Sequence, residues 1–190
     1  MLGLAATSAA AAVPADSAAD GAGTVVAAPA ELALRQALQT ATWPDDMVRL
    51  ADAYLQQFAQ HPQAAEAAQT RRSAAITARL LRDGEVQLFR SAFAPSPALG
   101  LAQQDLRQAA LGDAAAALRL AHQLQGAAGS AGSRHVGWLQ LATELGNERA
   151  AYELALHFRR QAQPLLASVY EQRAASLGFL GLPALGHTRK

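Results

Sequence analysis

Apolar residues recur every three or four positions through most of the chain, the spacing of helices with one buried face. In ELALRQALQTA that spacing runs through Leu32, Leu34 and Leu38. Thr42, Pro44, Asp45 and Asp46 then supply a helix start: a capping hydroxyl, a proline for the first turn and acids at the positive end of the dipole. The helix that follows places Met47, Leu50, Ala51, Tyr54, Leu55 and Phe58 on one stripe and ends near His61-Pro62. PQAAEAAQTRRSAAITARLL opens on that proline and carries Ala65, Ala68, Ile76, Leu80 and Leu81 before Asp83-Gly84 stops it. Two long helices about a tight proline turn predict an antiparallel hairpin. A short piece, EVQLFRSAF, ends this region, and APSPALG at 94–100 reads as a break. The chain thus divides into a low-complexity leader (1–30), an N-terminal helical hairpin region (31–97) and a C-terminal region (98–190).

The C-terminal region repeats itself. Around Gly146, Trp138 lies eight residues before, and Ala150, Leu154, Ala155 and Phe158 follow at four, eight, nine and twelve after. Around Gly112 the following positions are Ala116, Leu120, Ala121 and Leu124, matching in type at an offset of 34. The preceding half recurs before Gly178 as Tyr170 and Ala174, which correspond to Trp138 and Ala142 at an offset of 32. Periods of this size mark stacked helical hairpins. Each glycine then has a physical reason. A helix that ends and reverses at once needs a residue with positive φ at its C-terminus, which glycine adopts without strain. Asp113 and Asn147, next in line, cap the following helix. The small residues let backbones approach, while leucines and aromatics form a ridge that one hairpin cannot bury alone. The pattern predicts an all-α chain, an α-solenoid of antiparallel hairpins.

ADAYLQQFAQHPQAAEAA resembles the tetratricopeptide pattern, in which a proline ends one helix and small residues line the next. ALGDAAAALRLAHQL, WLQLATELGNERAAYELALHF and VYEQRAASLG together resemble the related Sel-one-like repeat family over about residues 104–180. The match includes Trp138, Ala142, Gly146, Ala150, Leu154, Phe158, Tyr170, Ala174, Ala175 and Gly178. The resemblance implies structural roles for these positions and no catalytic residue. Departures are the glycine-heavy QGAAGSAGSR, the glycine-free RRQAQP, and a decay after Gly178 that suits a terminal cap.

Composition narrows the functional classes. Ala and Leu dominate the 190 residues, and Lys190 is the only lysine beside many arginines, a bias that suggests a GC-rich bacterial genome. Net charge is +1, with seven acids and seven bases from Glu31 to Arg90 and six acids and nine bases from Asp105 to Lys190, too balanced for a nucleic-acid face. Arg71-Arg72 and Arg159-Arg160 read as solvated pairs. Without cysteine there is no disulfide, thiolate catalysis or cysteine-ligated zinc. The apolar run Leu2–Val13 before Val13-Pro14-Ala15 has the length of a signal-peptide core but lacks a basic start. It reads either as an export signal, which would place the protein in the periplasm or outside, or as a disordered leader on a cytoplasmic one. No run is long enough to span a membrane.

A search for chemistry finds no catalytic constellation, cofactor motif or metal set. Of His61, His122, His135, His157 and His187, no two lie three or four apart, and His122 and His157 occupy nearly the same repeat position. GAAGSAG, with Gly126, Gly129 and Gly132, lacks the strand and the Lys of a phosphate loop and reads as a flexible connection. Ser130 and Ser133 lack the context of a hydrolase elbow. Trp138, Tyr152, Phe158 and Tyr170 read as core. The sequence therefore predicts a non-catalytic adaptor that holds a protein or peptide in a helical groove through Arg119, His122, Glu153 and His157, in a bacterial envelope or secretion setting. The alternative is an accessory or regulatory subunit of an enzyme complex whose repeats serve for docking.

Overall fold

The protein is described here by a computed structural model covering residues 29–126 and 129–180. The leader reading therefore lies almost wholly outside the described residues, as do His187 and the tail beyond Leu180. The described residues are all-helical: α1 (Pro29–Thr40), α2 (Pro44–Gln57), α3 (Ala64–Arg82), α4 (Gln103–Ala110), α5 (Ala114–Gln123), α6 (Ser130–Glu144), α7 (Glu148–Arg160) and α8 (Pro164–Ser176). Extended backbone and two single 3-10 turns, Arg90–Phe93 and Pro97–Leu99, link α3 to α4. Each helix packs on the next within α1–α2–α3 and within α4–α5–α6–α7–α8, and α3 also meets α4 and α6.

The chain reversals share one geometry. Gly112, Gly146 and Gly178 follow the ends of α4, α6 and α8 with φ of 90°, 95° and 99°. At each, the amide of the next residue closes back on a carbonyl five residues earlier: Asp113 on Gln108, Asn147 on Ala142, Phe179 on Ala174. The glycine amides in turn bond to Ala109, Thr143 and Ala175. This double closure satisfies carbonyls that the helix end leaves open. Asp113 Oδ1 then accepts from the amides of Ala115 (2.8 Å) and Ala116 (3.0 Å), and Asn147 Oδ1 from Ala150 (2.9 Å). Between α7 and α8, in the glycine-free connection, Ala162 takes the same place at φ 55°, with Gln163 closing on Phe158.

One hydrophobic cluster extends from Leu38 to Leu154. Phe93 stacks obliquely on Trp138 with centroids 4.7 Å apart and meets Trp43 edge-on at 5.2 Å, so the core continues across residues 94–100. Trp138, Ala142, Ala150, Leu154, Ala116, Leu120 and Ala174 are fully buried; Phe158 and Tyr170 are half-buried and stack on each other at 5.4 Å.

Four local expectations need correction. Leu32 is 49% exposed while Glu31 is 1% exposed, because the α1 face that meets α2 presents the carboxylate to Tyr54. Thr42 does not cap α2: its hydroxyl donates to the Phe93 carbonyl at 2.7 Å, and Trp43 occupies the cap position. On α3 the buried residues are Ala67, Thr70, Ala74, Thr77, Ala78 and, as expected, Leu80, while Ile76 is 55% exposed. Small residues face the neighbouring helices there, since a face of alanine and threonine admits a closer backbone than one with isoleucine. Finally, α6 begins at Ser130, so Gly132 and Ser133 belong to its first turn and not to a loop.

The extended strap before the first 3-10 turn crosses α6. Val86 and Leu88 are buried, and the Gln87 amide donates to Gln140 Oε1 at 3.0 Å. Gly137 permits the crossing: a Cβ there would lie 2.6 Å from the Gln87 carbonyl oxygen and from Leu88 Cδ2.

Candidate functional site

The polar side chains of the C-terminal helices gather along α5, α6 and α7. His122 on α5 points Nε2 at both oxygens of Glu153 on α7, at 2.9 and 3.1 Å. A carboxylate only accepts, so Nε2 carries the proton. Arg149, one turn before Glu153, donates Nε to the same carboxylate at 3.0 Å. Two helices with no turn between them are thus tied by a shared anion.

His157, the next turn of α7, faces a different partner. Its ring lies 6.4 Å from that of His135 on α6, centroid to centroid and edge-on. His135 Nδ1 donates to the Ala121 carbonyl at 2.8 Å, which fixes its tautomer and leaves Nε2 without a proton when the ring is neutral. Both rings line an open groove of about 520 Å³ together with Leu124, Gln125, Val136, Arg160 and Gln161. Burial, the neighbouring His135 and the Arg160 guanidinium hold the His157 imidazole below its ordinary pKa, so it favours the neutral form.

Of the four residues singled out from sequence, His122 and Glu153 are in direct contact, and His157 shares the α7 face with Glu153 one turn away. Arg119 stands apart. Its guanidinium donates to Asp105 Oδ1 at 2.7 and 3.0 Å and to Gln108 Oε1 at 3.0 Å, joining α5 to α4. His135, Arg149 and Arg160 are the participants that sequence reasoning did not select. Spacing could have pointed to Arg149, four residues from Glu153 on one helix; nothing in the sequence joins His135 to His157 across a turn.

A second polar constellation lies in the N-terminal region. The Tyr54 hydroxyl donates to Glu31 Oε1 at 2.8 Å and lies 3.0 Å from His61 Nδ1. Glu31 Oε2 is buried with no hydrogen-bond partner among the described residues. Burial and the Glu31 hydrogen bond push the Tyr54 phenol up to about 12. With Glu31 and Tyr54 each 1% exposed, these contacts are closed to solvent and hold α1 on α2. Arg35 Nη1 to Gln63 Oε1 (2.9 Å) and Arg107 Nη1 to the Leu38 carbonyl (2.6 Å) complete the attachment of α1.

Comparison with family models, curated proteins and solved structures returns no match for this chain. Among the described residues no three histidines, aspartates or glutamates converge as a metal set, and no helix is long and apolar enough to cross a membrane.

Proposed function

We propose that this protein is a non-catalytic adaptor of Sel-one-like, tetratricopeptide-related type, a solenoid of helical hairpins that holds a partner polypeptide against the α5–α6–α7 surface. The observation that carries the reading is the open groove between α6 and α7, in which His135, His157, Arg160, Gln125 and Gln161 surround the apolar floor of Leu124 and Val136. An apolar floor with a few polar side chains at its rim suits an extended peptide, whose side chains fill the floor while its backbone meets donors and acceptors. Recurrent left-handed turns at Gly112, Gly146 and Gly178 support the hairpin reading, because after Gly112 and Gly146 a new helix starts within two residues. The bacterial envelope or secretion setting belongs to the same proposal and rests on the leader sequence.

The test is site-specific photo-crosslinking in the producing cell. A crosslinking residue at Gln161, in the groove, should capture a discrete partner band that one at Arg72, exposed on α3, does not. Equal capture from both positions, or none from Gln161, would remove the groove from the account.

A further inference from the structure

The groove has a property that a peptide-holding role does not require: two imidazoles from different helices come within 6.4 Å of each other on its lining. We propose that His135 and His157 form a two-histidine binding site for a borderline divalent transition-metal ion, zinc or nickel in class, bridging α6 and α7. With metal–nitrogen bonds of about 2.0–2.1 Å, two imidazoles on one ion place their centres roughly 5–6 Å apart. The observed 6.4 Å needs only a small ring rotation to reach that range.

Two further features suit a metal. The Nδ1–H of His135 is anchored on the Ala121 carbonyl at 2.8 Å, the outer-sphere bond that commonly orients a ligating histidine and presents its other nitrogen. The groove is open, with Ser133, Gln125 and Gln161 on its lining, so water and amide or hydroxyl oxygens can complete the coordination. No third imidazole or carboxylate joins the pair among the described residues, and Arg160 adds a positive charge nearby. The site is therefore an exchangeable one, weaker than a closed structural zinc site. Its structural effect is a clamp: an ion shared by α6 and α7 stabilises the hairpin by binding only its folded form. It stands independently of any partner polypeptide.

Isothermal titration calorimetry of the full chain with zinc chloride, and separately nickel chloride, tests this, with thermal melting in the same buffers. One ion should bind per chain and raise the melting temperature. His135→Ala and His157→Ala should each weaken binding roughly tenfold or more and abolish the metal-dependent rise. Circular dichroism of both variants without metal establishes that they fold. His122→Ala and His187→Ala serve as controls and should leave binding in place. The proposal is overturned if wild type shows no saturable binding, if either of His135→Ala and His157→Ala binds as wild type does, or if His187→Ala alone removes the signal.

Discussion

Glu31 sits in an environment that its chemistry opposes. A carboxylate nearly without solvent loses several kcal/mol of hydration unless its oxygens find donors, and here one oxygen finds only the Tyr54 hydroxyl while the other finds none. The start of α1 supplies the remaining favourable potential. Tyr54→Phe should therefore destabilise the protein by about 2–3 kcal/mol in urea unfolding, more than the roughly 1 kcal/mol of an ordinary hydroxyl, because it strands a buried acceptor. A loss below half a kcal/mol would mean that Glu31 does not depend on that hydroxyl. The sequence could not show this. Glu31 in a first helical turn reads as a surface dipole partner, and its three-residue chain of contacts joins segments with no local signature. Ala162 was equally hidden, since the pattern marks reversals by glycine and this one has none. An alanine at φ 55° carries strain of about 1–2 kcal/mol. Ala162→Gly should raise the unfolding free energy by about 1 kcal/mol; a fall would show that the turn tolerates alanine without strain.

At the scale of the element, α6 sets two effects against each other. Gly137→Ala in a free helix would stabilise by about 1 kcal/mol through propensity alone. Here the added methyl would meet the Gln87 carbonyl and Leu88 at 2.6 Å, so the strap must move, at about 1–3 kcal/mol. Net destabilisation is expected in chemical unfolding, and a stabilised variant would show that the strap does not bear on α6. The helix pattern itself was legible wherever repeat spacing and turn residues agreed, as from α4 to α7, where leucine, alanine, glycine and a capping Asp113 or Asn147 all point one way. It misled where packing partners decided the face. On α3 the large Ile76 attracts the eye, yet threonine and alanine face inward; on α1 Leu32 yields its place to Glu31. Periodicity finds a helix more readily than it finds which side of it is wet.

For the whole molecule, His157 gives the folded state a pH dependence. The His157 imidazole is held below its ordinary value of 6.5, so the unfolded chain takes up its proton first as pH falls. Its contribution is complete above about pH 6.5 and is lost as pH falls through the lower folded-state value. His157→Gln should flatten the acid side of a stability–pH curve, measured by urea unfolding at a series of pH values; an unchanged slope would exclude His157 as its source. The candidate site was half legible from sequence. His122 and His157 were marked by their nearly shared repeat position, whereas His135 entered only because the reversal at Gly146 folds α6 back beside α7.

That reversal underlies both the architecture and the groove. A Cβ at Gly146 would meet nothing within 4 Å, so substitution there tests backbone conformation without a clash. The melting temperature of Gly146→Val is the most direct measurement. A β-branched residue forced to φ 95° carries at least about 2 kcal/mol of strain, and for a chain of this size that corresponds to a fall of roughly 4–8 °C. An unchanged melting temperature would contradict the turn, and with it the reversal that brings α6 and α7, and so His135 and His157, together.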